Sequence, residues 1–331
     1  MHILFVADPL ESFKIYKDTT FSMMRELQRR GHTLAACEPQ GLSWQSGHRV
    51  MAHVRDITLT GEQGDEWFRT AQQLFNDRPQ ASDGTRAQAV CEFDAVLMRK
   101  DPPFDAQYIY STHLLEQAER EGARVFNMPA AVRNHPEKLA ILEFPELIGP
   151  TLVTRDASDV RRFFIEHQDI ILKPLDGMGG QGVFRVKPDG MNLGSIVETL
   201  NKGGAETIMV QKFLPEITKG DKRILLIAGQ PVPYSLARIP QGDEVRGNLA
   251  VGGKGVAQEL SERDRQIAER LGSLLYERGL LLVGLDVIGD CLTEINVTSP
   301  TCFQEIFDQT GCDVAKLFVD ALEANLSAKS R

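Results

Sequence analysis

Apolar and polar positions in the first third of the chain alternate between two periods, one typical of strands and one typical of helices. The predicted strands cover residues 3–7, 33–37, 95–98 and 124–127. The predicted helices cover residues 21–30 and 106–121, and Gly31 and Gly122 follow them as stops. This alternation predicts an α/β domain with a parallel sheet, which we assign to residues 1–128. Within it, residues 77–88 are polar and rich in turn formers, so we predict a surface loop there.

A change of pattern marks the rest of the chain. Residues 129–150 carry four prolines and form the predicted passage into a second lobe. Beyond them, strands joined by short turns predict an α+β arrangement. The predicted helices cover 157–167, 193–200, 262–278 and 313–326, and the last predicted strands cover 280–288 and 291–297. We therefore divide the remainder into a central domain, 129–205, and a carboxy-terminal domain, 206–331.

A hairpin and a long loop are predicted inside the carboxy-terminal domain. Residues 224–228 and 233–238 flank Gly229 and Gln230, a pair that suits a tight turn. The glycine-rich stretch 240–255 that follows has no apolar periodicity, and long structureless loops are usually functional or disordered. We predict a mobile lid over residues 239–255.

Composition excludes several classes of protein. The formal net charge is −9 and the pI is near 5.4, which argues against nucleic acid as the main partner, because phosphate contacts need clustered Lys and Arg. The five cysteines form no C-x-x-C pair, which indicates a reducing compartment. We find neither a signal-peptide pattern nor eighteen consecutive apolar residues, so we expect a cytoplasmic location without a membrane span.

A glycine motif lies between two predicted strands. Residues 177–182 match G-x-G-x-x-G, but residues 183–186 are alternating and β-branched, so no helix follows and a dinucleotide-binding fold is excluded. A strand–glycine loop–strand unit can close over a triphosphate, with backbone N–H groups on the phosphate oxygens and Lys173 as a point charge. The alternative is an ordinary glycine hairpin with a surface lysine.

Three oxygen-bearing side chains fall on the last two predicted strands. Glu294 and Asn296 share a strand face because they are two residues apart. Asp286 joins them only if a three-residue loop pairs it with Glu294, and we predict that register because acids in apolar strands are expensive to bury without a cation or hydrogen bonds. The set then suits a hard cation such as Mg²⁺. The alternative is one solvated polar face.

Two further groups of residues indicate a binding site only when they are considered together with the motifs above. Residues 99–105 follow a buried strand, at the edge where open α/β sheets bind ligands, although a solvated turn stiffened by two prolines explains them equally. Arg223 and Arg238 lie near the hairpin and the lid, where paired donors can hold a carboxylate or a phosphoryl group. Surface arginines are the competing explanation.

Taken in order, RKDPPFD at 99–105, KPLDGMGG at 173–180, the glycine-rich 231–255 stretch and DVIGDCLTEINVTSP at 286–300 resemble bacterial glutathione synthetases of the ATP-grasp superfamily. The resemblance spans nearly the whole chain and implies an ATP-grasp fold behind an amino-terminal α/β domain. Two departures are the hinge pair Lys212 and Phe213 and a longer 77–88 segment.

The resemblance implies a role for each matching residue. The nucleotide site would comprise Lys138, Lys173, Gly177, Met178, Gly179, Gly180, Gln211, Lys212, Phe213, Leu214 and Asp221. Ligands of Mg²⁺ or Mn²⁺ would be Asp286, Glu294 and Asn296, and the arginines at the reacting phosphate would be Arg223 and Arg238. The peptide-substrate site would comprise Arg99, Lys100, Asp101, Asn296, Ser299 and Pro300. The lid would act through Arg246, Gly247, Asn248, Gly252 and Gly253.

The resemblance also implies a reaction. ATP would phosphorylate the cysteinyl carboxylate of γ-glutamylcysteine, and glycine would displace phosphate from the acyl phosphate to give glutathione. It further implies a homotetramer. The alternatives are another ATP-grasp ligase, one that adds glutamates or joins D-amino acids, and a non-catalytic ATP-binding module.

Overall fold

The computed structural model describes residues 1–61, 64–70 and 85–328. Its amino-terminal part is built on an eight-stranded sheet. The strands are β1 (His2–Ala7), β2 (Thr33–Cys37), β3 (Leu42–Ser43), β4 (Met51–Leu59), β5 (Phe68–Thr70), β6 (Arg86–Ala89), β7 (Ala95–Arg99) and β8 (Val125–Phe126). The helices are α1 (Thr19–Arg29), α2 (Ala106–Arg120) and α3 (Pro129–Asn134). Asp18 and Asp105 cap α1 and α2 with side-chain oxygens, which fixes where both helices begin.

The sheet is parallel only in its centre. Strands β2, β1, β7 and β8 run parallel, whereas β4 pairs antiparallel with β2 and carries β3, β5 and β6. The four predicted strands form this parallel centre, and antiparallel strands that were not predicted extend it into a mixed sheet. Residues 77–84 of the predicted surface loop lie outside the described residues. The predicted end of the loop at residue 88 is wrong, because Arg86–Ala89 is a strand. Strand β4 alternates buried and exposed positions, a signal that sequence reasoning overlooked.

A four-stranded antiparallel sheet forms the central part, in the order β11-β10-β12-β9. Its strands are β9 (Thr151–Thr154), β10 (Ile170–Pro174), β11 (Phe184–Val186) and β12 (Ile208–Lys212), and its helices are α4 (Ala157–His167) and α5 (Leu193–Asn201). The glycine motif joins β10 to β11, which pair antiparallel. The predicted strand–loop–strand unit is therefore confirmed.

A six-stranded antiparallel sheet follows, with the path β16-β15-β13-β17-β18 and β14 paired to β13. Its strands are β13 (Asp221–Ile227), β14 (Gln230–Pro231), β15 (Tyr234–Ile239), β16 (Lys254–Glu259), β17 (Leu282–Ile288) and β18 (Cys291–Asn296), with helix α6 (Glu262–Glu277) packed beside them. The predicted hairpin is confirmed, but its turn lies one residue earlier than predicted: Ala228 and Gly229 form it, and Gln230 begins β14 opposite Ile227. The predicted lid is too long at its end, because β16 begins at Lys254.

The end of the chain returns to its beginning. Helix α7 (Phe303–Thr310), which the sequence reading missed, and helix α8 (Val314–Ala328) both contact α1. One buried apolar cluster joins Phe5 and Leu27 of the first part to Leu225, Phe303 and Phe318 of the last. The eight-stranded and six-stranded sheets therefore share a hydrophobic core, while the four-stranded sheet buries a separate core around Leu172. Across the described ranges, no helix is long and apolar enough to cross a membrane.

Candidate active site

A row of charged side chains crosses the third sheet from β15 to β18. Arg238 on β15 lies opposite Asp221 on β13. Two positions along β13, Arg223 lies opposite Asp286 on β17, and Asp286 lies opposite Glu294 on β18. Side chains two positions apart on a strand share a face. The antiparallel pairing therefore gathers charges from four strands on one face of the sheet.

A β-bulge sets the register of this row. The predicted pairing of Asp286 with Glu294 is confirmed, but the predicted three-residue loop is wrong, since the turn holds only Gly289 and Asp290. The register shifts farther along, where Thr293 is the extra residue on β18. The bulge, and not the turn, brings the two carboxylates opposite each other.

Two arginines hold the buried carboxylate of Asp286. Arg223 Nε lies 2.5 Å from Oδ1, and Arg238 Nη2 lies 2.8 Å from Oδ2. Burial alone raises the pKa of Asp286, but the two guanidinium groups hold it well below its usual range. For Asp221, burial raises the pKa to about 6 even though Arg238 Nη2 lies 2.5 Å from its Oδ2. Its other oxygen, Oδ1, is buried and has no hydrogen-bond partner among the described residues.

Two buried lysines face the glycine loop. Lys138 Nζ lies 2.6 Å from the carbonyl oxygen of Gly177 and 3.1 Å from Glu294 Oε1. Lys173 Nζ lies 3.4 Å from the carbonyl oxygen of Thr293. Burial lowers the pKa of Lys173, whereas for Lys138 the carboxylate of Glu294 outweighs burial and raises the pKa. The loop therefore closes over two concentrated positive charges.

A pocket lies between the central and third sheets. All the predicted nucleotide residues line it: Lys138, Lys173, Gly177, Met178, Gly179, Gly180, Gln211, Lys212, Phe213, Leu214 and Asp221. Sequence reasoning missed its apolar wall, formed by Pro150, Ile171, Val183, Ile217, Ile288 and Leu292. These residues carry no chemical signature, so only the fold reveals them. An apolar slot with lysines and a glycine loop suits a flat base attached to a polyanion.

The lid segment contacts the glycine loop and β15. Arg246 Nη1 donates to the carbonyl oxygen of Gly180 at 3.0 Å. Gly247 packs so closely on β15 that a Cβ there would lie 2.1 Å from the carbonyl oxygen of Arg238. Arg246, Gly247 and Asn248 line the nucleotide pocket, and Asn248 also lines a second one. The lid thus borders two pockets.

The second pocket opens on the other side of the charged row. Arg99, Asp101, Asn296 and Ser299 line it, as predicted for the peptide substrate, together with Arg223, Arg238, Asp286 and Glu294. Arg99 is buried, and its Nη2 donates to the carbonyl oxygen of Pro300 at 2.8 Å. Burial raises the pKa of Asp101. Asp286 and Glu294 line both pockets, so the pockets meet at this pair.

Four of the predicted site residues do not line either pocket. Lys100 pairs with Asp8 at 2.7 Å, and Lys100, Pro300, Gly252 and Gly253 line neither pocket. Sequence reasoning also missed acidic residues of the second pocket, namely Asp8, Asp18, Glu137 and Glu305. Burial raises the pKa of Glu137, which accepts hydrogen bonds from Thr298 N at 3.1 Å and Oγ1 at 2.7 Å. Glu137 therefore braces the segment after β18.

The donor set fits a hard cation. Asp286, Glu294 and Asn296 offer oxygen ligands, and the buried Asp221 Oδ1 has no hydrogen-bond partner among the described residues. Across residues 1–61, 64–70 and 85–328, no three His, Cys, Asp or Glu side chains gather as a ready metal cage. The predicted ligand set combines two carboxylates with one amide.

Comparison with known proteins agrees with this geometry. The profile of the prokaryotic glutathione synthetase amino-terminal domain matches residues 1–133, and that of the ATP-grasp domain matches residues 137–311. A glutathione synthetase of Ralstonia nicotianae is 58% identical over 98% of this chain and 95% of its own length. One of Nitrosomonas europaea is 55% identical over the full length of both chains.

Solved structures share the fold at low identity. D-cycloserine synthetase DcsG has a TM-score of 0.66 at 15% identity and covers 98% of this chain and 99% of its own. The ATP-grasp ligase PsnB in complex with Mg and ADP has a TM-score of 0.61 at 21% identity, covering 98% of both chains. These similarities show the ATP-grasp fold, and the family profiles and curated relatives show the family as well. The chain belongs to the prokaryotic glutathione synthetase family of ATP-grasp ligases.

Proposed function

We propose that this chain joins γ-glutamylcysteine to glycine at the expense of ATP and releases glutathione, ADP and phosphate. The observation that carries the proposal is the meeting of two pockets at Asp286 and Glu294. One pocket suits a nucleotide and the other holds buried polar groups for an acid substrate. The reacting carboxylate and the γ-phosphate of ATP can then meet where the two pockets join.

The first pocket would orient ATP. Backbone N–H groups of the glycine loop and the ammonium groups of Lys138 and Lys173 would bind the phosphates, because both lysines are buried and line the same pocket as this loop. Arg223 and Arg238 lie beside the junction and are always protonated, so they can neutralise charge on the transferring phosphoryl group. Chemistry then depends on position and charge rather than on a protein nucleophile.

Family membership implies a divalent cation in general, and we propose Mg²⁺ or Mn²⁺ on Asp286, Glu294 and Asn296. Such a cation, when bound, screens the negative charge of the triphosphate. Asp286 stays ionised at neutral pH because the arginines hold its pKa low. It therefore offers a charged oxygen without first losing a proton.

The second pocket and the lid would govern the acid and its activated form. A cysteinyl carboxylate oxygen attacks the γ-phosphorus, the bond to ADP breaks, and an acyl phosphate forms. The glycine amine, after losing its extra proton, attacks the acyl carbon, phosphate leaves with the bonding electrons, and the nitrogen loses a second proton to give the amide. Lid residues next to both pockets would keep water away from the acyl phosphate.

The test measures phosphate release from ATP and Mg²⁺ with γ-glutamylcysteine, with and without glycine, alongside mass detection of glutathione. We expect release that depends on both substrates, with one glutathione per phosphate, and loss of both when the divalent cation is chelated. Product from another acid or amine would instead indicate a different ATP-grasp ligase. ATP binding without turnover on any amine would indicate a non-catalytic module.

We also propose a cytoplasmic homotetramer, on the basis of family resemblance and of five cysteines that are all free in the structure. Light scattering coupled to size-exclusion chromatography measures the assembly. A mass near four times 36.8 kDa is the expected result, and a monomer mass would contradict it.

A further inference from the structure

A clamp of three side chains and backbone groups lies behind the apolar end of the nucleotide pocket. Arg185 on β11 donates two hydrogen bonds to Asp169, from Nε to Oδ1 at 2.9 Å and from Nη2 to Oδ2 at 2.7 Å. The same guanidinium covers the ring of Phe213, with its central carbon 3.4 Å from the ring centroid. Asp169 also accepts the N–H of Phe213 on its backbone oxygen at 2.9 Å. Phe213 is thus fixed by both its backbone and its ring.

The clamp determines which backbone donor faces the pocket. Residues 211–214 form the edge of the pocket. The N–H of Lys212 donates to Pro150 at 3.0 Å, and that of Phe213 donates to Asp169. The N–H of Leu214 has no acceptor among the described residues, so it is the donor left for a ligand. Its direction follows from the orientation of Phe213, which precedes it.

The geometry of the clamp is specific to arginine. The side chains of Arg185 and Asp169 are 24% and 26% exposed, so solvent screens part of their attraction. A bidentate fork stacked on an aromatic ring is a geometry that only arginine provides. The clamp therefore fixes the position of the Phe213 ring.

We propose that Arg185, held by Asp169, is a positioning residue that sets Phe213 and Leu214 for recognition of the purine base of the nucleotide. The proposal rests on the proposed nucleotide site. Arg185 lines neither pocket and acts through Phe213. It governs the base end of the pocket, whereas the lysines and the glycine loop govern the phosphate end.

The test compares Arg185→Met with the wild-type chain, using two probes in the presence of Mg²⁺. Calorimetric titration measures ADP, and displacement of a fluorescent ADP analogue measures inorganic tripolyphosphate, which has phosphates but no base. We expect ADP binding to weaken about three- to tenfold, the range of a cation–π contact, and tripolyphosphate binding to stay unchanged. Arg185→Lys should recover little, because an ammonium cannot stack as a planar fork.

Arg162→Met is the matched control, since Arg162 is also paired with an aspartate, Asp159, in the central part of the chain but lies away from both pockets. It should change neither affinity. Unchanged ADP binding in Arg185→Met would overturn the proposal, and so would equal weakening of ADP and tripolyphosphate, which indicates a distorted glycine loop. Glutathione formation is measured separately on the wild-type chain, so a failed ligase assay does not affect this outcome.

Discussion

At the scale of single residues, Asp286 connects the arginines of the site to its proposed cation. We expect Asp286→Asn to lower kcat/KM for glutathione formation by at least about a hundredfold, because Arg223 and Arg238 lose their shared carboxylate and the charged ligand is lost. Steady-state kinetics measures the effect. Breaking a buried pair also costs roughly 3–5 kcal/mol of stability, so a control for folding is needed.

Asp264→Asn provides that control on the opposite face of β13. Asp264 is buried and pairs with Lys222, one position along the strand from Arg223, but it lines neither pocket. Its removal should lower the melting temperature to a similar extent and leave kcat/KM within about threefold of wild type, because it adjoins no reacting group. Equal losses of activity in both variants would mean that Asp286 acts only through stability.

Sequence reasoning predicted that Asp286 lies opposite Glu294, but it did not predict the β-bulge that produces this register. An isolated acid in an apolar strand is expensive to bury, which is a physical reason to place it opposite Glu294. The sequence does contain a sign of the bulge, namely two apolar residues three positions apart. Leu292 and Ile295 are both buried, although residues three apart do not share a face of a regular strand. Glu137 had no comparable signal, since it lies in an irregular proline-rich passage.

At the scale of elements, periodic segments were predictable and cross-chain pairings were not. Helix α4 has its predicted bounds because Asp156 caps it and its apolar spacing is regular. The antiparallel pairing of β4 with β2 was not predictable, because it lies across a reversal that local sequence does not encode. The mixed character of the first sheet and the position of the apolar pocket wall follow from such pairings.

The lid supplies a prediction at this scale. A Cβ on Gly247 would lie 2.1 Å from the carbonyl oxygen of Arg238, so Gly247→Ala should keep the lid from closing on β15. We expect ATP hydrolysis, measured with γ-glutamylcysteine and without glycine, to rise on the order of tenfold relative to ligation measured with both substrates, since water gains access to the acyl phosphate. Coupled phosphate and product assays give the ratio.

Gly242→Ala is the matched substitution in the same segment. Gly242 has a positive φ of +60°, and a Cβ there would meet nothing within 4 Å. It bears only the local backbone cost of roughly 1–2 kcal/mol, and the hydrolysis-to-ligation ratio should stay at the wild-type value. A normal ratio in Gly247→Ala would remove the shielding role from the lid.

At the scale of the whole molecule, a charge cluster closes the chain by joining α8 to α1. Arg30 follows the end of α1, and its Nε lies 2.7 Å from Glu26 Oε1. Its Nη2 lies 2.7 Å from Asp320 Oδ1 and its Nη1 lies 2.8 Å from Glu323 Oε2, both on α8. The apolar contact below it includes Leu27 and Phe318. The cluster therefore adds charge pairing to the contact that unites the first and last parts.

Acid should weaken this closure. Hydrogen bonds from Arg29 and Arg30 lower the pKa of Glu26, and those from Lys316 and Arg30 lower the pKa of Asp320. A carboxyl whose pKa is lower in the folded state than in the unfolded state stabilises the fold fully above the unfolded pKa, about 4. That contribution is lost as pH falls through the folded pKa, so the affected window lies below about pH 4.5.

Arg30→Met tests the closure because it keeps the aliphatic packing and removes the charge. Urea unfolding should show a destabilised variant at pH 7, and the difference from wild type should shrink as pH falls from 5 to 3, where the carboxyls become neutral and Arg30 has less to stabilise. Lys316→Met removes an exposed pair with Asp320 and should change stability by less than about 0.5 kcal/mol at any pH. A difference for Arg30→Met that stays constant with pH would assign its effect to packing and leave the electrostatic closure without support.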